Sequence, residues 1–182
     1  MQHILGLSGP RGSGKSTIAQ HLVDEHGFER LAFSDILREI ADLAGPEQCN
    51  DRRYLSELGR LLRGYQPDFL LTIMKLKLER SSSRVVIEDI RFPEELRFCQ
   101  VNGILTVYLD VTQTEQLRRI IKREQCSLQE AEELANMADN QHLNRFAKWD
   151  HIILSEGDFK RLALSLNSLV VLKETEVSFY VE

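Results

Sequence analysis

The sequence predicts an α/β fold in which a five-stranded parallel sheet carries helices on both faces. Short apolar runs alternate with longer amphipathic segments along most of the chain, as expected for strands joined by helical crossovers. A glycine-rich segment at residues 9–17 lies between the first apolar run and the first helical pattern. The chain has 182 residues, of which 42% are hydrophobic and 28% charged, and this size and composition fit one globular domain.

The first half of the chain is predicted to supply two strands and four helices. Gly27 is a typical residue to end the first helix, and Ser34 or Asp35 is a typical cap for the second. Pro67 suits the first turn of the fourth helix. In order, the predicted elements are a strand at 4–8, a helix at 16–26, a strand at 28–33 and helices at 34–43, 51–62 and 67–76.

The second half is predicted to supply three further strands and four helices. Ser127 and Glu130 have the spacing of a capping box at the start of one helix. The end of the chain, 175–182, alternates apolar and polar residues, which suits an edge strand or a partner contact and is also compatible with a loose terminus. In order, the predicted elements are a strand at 84–90, a helix at 93–101, a strand at 104–109, helices at 112–123 and 127–137, a strand at 151–154 and a helix at 158–172.

Residues 9–17 match the phosphate-binding pattern G-x-x-x-x-G-K-[ST] at every fixed position. We call this segment the phosphate loop. Its glycines let the backbone approach a polyphosphate, and its N–H groups and the following helix end favour an anion. The lysine can reach the β- and γ-phosphates of ATP, and the serine hydroxyl can join the coordination of Mg²⁺. The predicted ATP-binding residues are Gly9, Arg11, Gly12, Ser13, Gly14, Lys15, Ser16 and Thr17.

Charge and composition exclude several other functions. The net charge is −5 and the chain has no run of five like charges, so a surface for duplex nucleic acid is not expected. No segment approaches the ~18 apolar residues of a membrane span, and the N-terminus does not resemble a signal peptide. The three scattered cysteines suit reduced thiols. These observations predict a cytoplasmic protein.

Charged residues follow the predicted strands, at the edge where an open α/β sheet binds its ligand. Asp89 ends an apolar run and is the predicted metal-linked carboxylate; Glu88, on the opposite face of the strand, is ranked below it. Asp35 and Arg38 have i, i+3 spacing and could hold an acceptor, although a helix cap with a surface ion pair is the alternative. Arg91 could bind a phosphate through its planar fork, or could be an ordinary surface residue.

A basic cluster lies on the predicted helix at 112–123. A solvated helix face is the usual explanation for such a cluster, but phosphoryl transfer also needs cations over the transferring group, and a helical hairpin can deliver them. Arg119 and Arg123, spaced i, i+4, are the predicted pair.

Taken together, these segments resemble the P-loop nucleotide kinases. The segment F-S-D-I-L-R at 33–38 is similar to the G-D-x-L-R acceptor segment of nucleoside monophosphate kinases. V-V-I-E-D-I-R-F-P-E-E at 85–95 resembles the D-x-R-x-P-x-E stretch of deoxynucleoside monophosphate kinase-like proteins. From residue 116 onward, Q-L-R-R-I-I-K-R, S-L-Q-E-A and W-D-H-I-I-L-S-E-G-D-F-K-R-L are similar to the C-terminal half of dephospho-CoA kinases.

The resemblance implies a three-layer P-loop NTPase fold with a helical lid. It implies one kinase domain at 1–172, with acceptor-binding helices at about 34–80, a lid at about 112–146 and a tail at 173–182 through which a homodimer could form. It implies that ATP phosphates bind at 12–17 and that adenine lies near 155–158. Arg119 and Arg123 would be the lid cations, and Asp35, Arg38 and Arg91 would contact a small-molecule nucleotide acceptor.

Three functions stay open at this point. The preferred one is ATP- and Mg²⁺-dependent transfer to a (deoxy)nucleoside monophosphate, in which Asp35 mainly positions the acceptor. The second is dephospho-CoA kinase-type phosphorylation of a hydroxyl, for which Asp35 would be the general base. The third is an ATP-binding switch or ATPase without a small-molecule acceptor, although such a protein has no need of acceptor arginines. The absence of an N-K-x-D segment argues against a GTPase.

Overall fold

A computed structural model of the chain describes residues 2–45, 47–136 and 143–178. It contains five strands, at β1 His3–Ser8, β2 Glu29–Ala32, β3 Arg84–Glu88, β4 Leu105–Asp110 and β5 His151–Leu154. The helices of the first half are α1 Lys15–His26, α2 Phe33–Ala44, α3 Arg52–Tyr65 and α4 Phe69–Arg80. Those of the second half are α5 Pro93–Val101, α6 Gln113–Glu124, α7 Leu128–Asn136 and α8 Phe159–Ser178.

The five strands form one parallel sheet in the order β2-β3-β1-β4-β5. All of their carboxyl ends therefore lie at the same edge, and the phosphate loop leaves the central strand β1 there. The predicted five-stranded parallel sheet is confirmed.

Two apolar cores cover the two faces of the sheet. One core packs α2, α3, α4 and α5 against side chains such as Val85 and Ile87 of β3. The other packs α1 and α8 against Leu5 and Leu7 of β1 and against Val86 of β3. Because side chains alternate along a strand, Glu88 shares the face of Val86 and so lies on the side of α1. Helices on both faces confirm the three-layer arrangement.

The structure differs from the predicted elements mainly at their ends. Strand β3 ends at Glu88 rather than at residue 90, because Asp89 adopts a left-handed φ of 66° that leaves the extended conformation. Helix α8 continues through Ser178, so an edge strand, one of the alternatives for the segment from residue 175 onward, is wrong as far as Ser178. The rest of that tail, 179–182, lies outside the described residues, and the homodimer contact through it stays a prediction.

The predicted lid contains helices α6 and α7, whereas its described residues 143–146 are not helical. Helices α6 and α7 pack against each other, and Glu130 accepts hydrogen bonds from the backbone and the hydroxyl of Ser127, both 2.8 Å long, which confirms the capping box. The lid residues 137–142 lie outside the described residues. Along the described parts of the chain, no helix is both long and apolar enough to cross a membrane. The three cysteines form no disulfide.

Candidate active site

Two positions of the phosphate loop, Gly9 and Gly14, have backbone angles that favour glycine. Gly9 has φ of 146°, and Gly14, the N-cap of α1, has φ of 90°. A Cβ on Gly9 would collide with the carbonyl oxygen of Leu109, and one on Gly14 would lie 2.6 Å from a ring carbon of Phe159. The loop is therefore packed tightly between β4 and the start of α8.

Lys15 is held inside the curve of the phosphate loop. Its Nζ donates to the carbonyl oxygens of Gly9 at 2.7 Å and Pro10 at 3.0 Å, and lies 3.5 Å from Asp89 Oδ1. Burial lowers the pKa of the Lys15 ammonium, while the charge of Asp89 acts in the opposite direction. The ammonium is positioned where a bound polyphosphate would accept its hydrogen bonds in place of the loop carbonyls.

The carboxylate that contacts Ser16 is Glu88. The hydroxyl of Ser16 donates to Glu88 Oε1, and only 8% of the Glu88 side chain is exposed. The sequence favours Asp89 over Glu88, because the two side chains point to opposite faces of β3. The face of Glu88 is the one that α1 covers, and α1 carries Ser16.

Asp89 instead lies between two cations. Arg91 Nε donates to Asp89 Oδ2 at 2.7 Å, and Lys15 lies on the other carboxylate oxygen. Burial alone would raise the pKa of Asp89, but the charges of Lys15 and Arg91 outweigh it and lower the pKa. Asp89 is thus held ionised beside the phosphate loop, and its link to a metal ion stays a prediction.

The oxygen atoms near Ser16 suit a magnesium ion. The Ser16 hydroxyl and two carboxylates, Glu88 and Asp89, are hard oxygen donors of the kind that Mg²⁺ prefers. The described residues contain no cluster of three or more acidic, histidine or cysteine side chains able to enclose a metal. Mg²⁺ sites commonly use one or two carboxylates and complete their coordination with phosphates and water.

Arg30 of β2 joins this region to α2 and is the site residue that sequence reasoning missed. Its Nε donates to Glu88 Oε2, and its Nη1 donates to Asp35 Oδ2 at 2.7 Å. The sequence predicts a strand at 28–33 and gives Arg30 no role in the site. Arg30 pairs with Val86 in the sheet register, two residues before Glu88, and that strand order is not visible in the sequence.

Asp35 and Arg38 lie together on the first turns of α2, as their spacing predicts. Arg38 Nη1 donates to Asp35 Oδ1 at 2.8 Å and to the hydroxyl of Ser34 at 3.0 Å. Each oxygen of Asp35 therefore accepts from a different guanidinium group, one from Arg30 and one from Arg38. Arg38 is 44% exposed, which leaves part of its guanidinium open to a ligand.

The two predicted lid cations are placed differently. Arg119 donates to the carbonyl oxygens of Gly12 at 3.2 Å and Ser155 at 2.7 Å, and its guanidinium lies 4.7 Å from the ring centroid of Phe159. Arg123 is 55% exposed and pairs with Glu124. The structure thus brings Arg119 against the phosphate loop and leaves Arg123 on the surface.

Arg11 and Ser13 tie the phosphate loop to its surroundings. Arg11 pairs with Glu124 at 2.7 Å, so this predicted ATP-binding residue contacts α6. The backbone oxygen of Ser13 accepts from the buried Ser155 hydroxyl at 2.5 Å. Thr17 lies exposed on the first turn of α1. These contacts hold the loop against α6 and the segment that follows β5.

An open cavity of about 470 Å³ lies at the start of α6. It is formed where the start of α6 faces the segment after β5, which includes part of the range 155–158 predicted to lie near adenine. Its volume falls within the range of small-molecule sites. The lining residues are Thr112, Thr114, Glu115, Arg118, Glu156 and Gly157.

Comparison with known proteins gives several sequence relatives, including the following three. A cytidylate kinase of Methanothrix thermoacetophila is 29% identical over 154 residues, covering 84% of this chain and 82% of the relative. An adenylate kinase of Pyrococcus abyssi is 34% identical over 130 residues, covering 66% of this chain and 57% of the relative. A putative deoxynucleotide monophosphate kinase of Acanthamoeba polyphaga mimivirus is 28% identical over 141 residues, covering 59% and 73%.

Solved structures share the fold at lower identity. A shikimate kinase from Bacteroides thetaiotaomicron superposes with a TM-score of 0.57 at 16% identity, covering 94% of this chain and 98% of that one. A dephospho-CoA kinase from Campylobacter jejuni gives 0.52 at 16% identity, covering 93% and 97%. These likenesses confirm the predicted P-loop fold.

Residues 5–141 match the sequence model of a protein family described as an AAA domain. The matched segment includes the whole phosphate loop, Glu88 and Asp89, and the acceptor segment around Asp35. Since this segment makes up more than half of the chain, the protein belongs to the AAA-domain family of P-loop proteins, and its predicted resemblance to the P-loop nucleotide kinases is confirmed.

Proposed function

We propose that this protein transfers the γ-phosphoryl group of ATP to the phosphate of a nucleoside or deoxynucleoside monophosphate. The observation that carries the proposal is the pair of arginines on Asp35. Each oxygen of Asp35 already accepts a hydrogen bond from a guanidinium group, one from Arg30 and one from Arg38. A hydroxyl acceptor would have to displace one of these guanidinium groups to give its proton to Asp35, whereas an acceptor phosphate is already a competent nucleophile and needs no base.

The relatives named above are nucleotide kinases, and this protein is an enzyme of the same kind. Its phosphate loop and Lys15 hold the donor phosphates. The cavity between the start of α6 and the segment that follows β5 accepts the adenine, because it includes part of the range 155–158 that the family resemblance places near adenine. Ser16 with Glu88, or Asp89, would hold Mg²⁺, which neutralises charge on the donor phosphates.

The acceptor site lies between α2 and the turn after β3. Arg38 and Arg91 are both partly exposed, at 44% and 45%, and each can turn part of its guanidinium toward an acceptor phosphate. An oxygen of that phosphate forms the new bond to the γ-phosphorus while the bond to the bridging β–γ oxygen breaks and ADP leaves. The protein's own contribution is positioning and charge neutralisation.

The ATPase alternative requires a carboxylate that can activate water. Glu88 is engaged by Ser16 and Arg30, and Asp89 is engaged by Lys15 and Arg91. Neither carboxylate is left to accept a proton from water in this arrangement. The acceptor arginines also have no task in an ATPase, so this alternative is disfavoured.

Asp35→Asn tests the choice between a monophosphate and a hydroxyl acceptor. For a monophosphate we expect a fall in kcat of less than about tenfold, because asparagine still accepts one hydrogen bond and no base is lost; loss of a general base would cost about 10²–10⁴-fold. The measurement is steady-state ADP release with saturating ATP. The matched control is Asp42→Asn, an exposed residue on the same helix. A loss in the general-base range would contradict the monophosphate proposal.

A further inference from the structure

The turn that carries Arg91 is held by one buried carboxylate. Glu95, on the first turn of α5, is 2% exposed. Its Oε2 accepts the backbone N–H of Arg91 at 2.9 Å and that of Phe92 at 3.2 Å. The direction of the chain between Asp89 and α5 is thus set by the position of Glu95.

Glu95 is in turn held by an arginine from another helix. Arg63, near the end of α3, donates from Nη2 to Glu95 Oε1 at 2.9 Å. Its guanidinium lies 3.8 Å from the ring centroid of Phe92. Gly59, one turn earlier, leaves room for it, since a Cβ there would lie 2.9 Å from Arg63 Nη1. The buried pair therefore joins α3, within the predicted acceptor-binding segment, to the turn after β3.

The geometry points to Glu95, acting with Arg63, as a positioning residue that fixes Arg91 for the acceptor phosphate. Neither Glu95 nor Arg63 needs to touch a nucleotide for this role. Glu95 holds the Arg91 backbone, while the Arg91 side chain is oriented from the other side by Asp89. This inference rests on the proposed function, because Arg91 is useful in this way only if an anionic acceptor binds there.

The contacts of Glu95 go beyond what capping helix α5 requires. A cap can face solvent, as Asp51 does at the start of α3, whereas burial of Glu95 disfavours its charged form and raises its pKa. Glu95 is nevertheless buried, and Arg63 from α3 pairs with it. The Glu95–Arg63 pair connects the predicted acceptor-binding helices to the turn that carries Arg91, and capping α5 does not require this connection.

The test is a double-mutant cycle between Glu95→Gln and Arg91→Ala, measured as KM for the acceptor, KM for ATP and kcat. In the Glu95→Gln variant, the side-chain NH₂ group would face the Arg63 guanidinium, so two hydrogen-bond donors would meet without an acceptor. The turn that carries Arg91 would then be held less firmly. We expect acceptor KM to rise about five- to tenfold with ATP KM within about twofold of wild type, and a further rise of less than about twofold when Glu95→Gln is added to Arg91→Ala. Additive effects, or an equal rise in ATP KM, would overturn the proposal.

A second variant and a control keep the test decisive if Glu95→Gln fails to fold. Arg63→Gln removes the other member of the pair and should give the same split between acceptor KM and ATP KM, again without adding to Arg91→Ala. Glu25→Gln is the matched control, because Glu25 on α1 forms an ion pair with Lys160 outside the predicted acceptor-binding segment; its acceptor KM should equal that of wild type. Wild type without acceptor-dependent turnover would reject the proposed function, whereas normal wild-type turnover with additive variants would reject only the role of Glu95.

Discussion

Replacing Lys15 with alanine is expected to lower kcat by about a thousandfold while the protein stays folded. The ammonium is the cation placed inside the curve of the phosphate loop, where the donor phosphates bind. The fold survives because Asp89, which loses one cation, keeps its ion pair with Arg91. The measurements are steady-state ADP release and thermal unfolding of the variant beside wild type.

Lys75→Ala serves as the control for the Lys15 variant. Lys75 is an exposed lysine on α4, far from the phosphate loop in the chain, and its removal should leave turnover unchanged. Retained turnover in Lys15→Ala would contradict the assignment of residues 9–17 as the ATP-binding loop.

The second large effect is expected from Glu88→Gln, compared with Asp89→Asn. Glu88 contacts the Ser16 hydroxyl directly, so its amide variant should raise the Mg²⁺ concentration needed for half-maximal rate by about ten- to hundredfold. Asp89→Asn should change that concentration less. Its main effect should be on Lys15 and Arg91, because Asp89 forms an ion pair with each of them. Binding of Mn²⁺ to the ATP-bound variants, followed by electron paramagnetic resonance, gives a readout besides activity.

The opposite ranking of these two variants would return the metal-linked role to Asp89, as the sequence predicts. Arg30→Gln provides a second check on the same account. Loss of Arg30 frees Glu88 from its second partner without touching Ser16, so the Mg²⁺ requirement should not rise. A rise equal to that of Glu88→Gln would contradict a direct role for Glu88.

The phosphate loop was predictable because its function constrains backbone conformation residue by residue. Gly9 and Gly14 have positive φ angles that favour glycine, at the positions where the motif requires it. The spacing of Asp35 and Arg38 also sufficed, because i, i+3 neighbours meet on any helix. Local rules of this kind do not depend on knowing how distant elements pack.

The contacts that the sequence did not reveal all depend on strand order and packing. The sequence does not show that α1 covers the face of β3 on which Glu88 lies, so it favours Asp89 over Glu88. Asp89 also has a left-handed φ, so it does not continue the alternating side-chain pattern of the strand. Arg30 became a site residue because β2 lies beside β3 in the sheet. Glu95 and Arg63 are 32 residues apart in the chain, and only the packing of α3 over the turn brings them together.

The central claim is transfer from ATP to a nucleoside monophosphate, and a coupled ADP-release assay tests it most directly. The acceptors to compare are the ribonucleoside monophosphates, the deoxynucleoside monophosphates and dephospho-CoA, each with ATP and Mg²⁺. The account predicts that one or more monophosphates stimulate ADP release and that dephospho-CoA does not. Stimulation by dephospho-CoA alone, or ADP release that no acceptor increases, would contradict it.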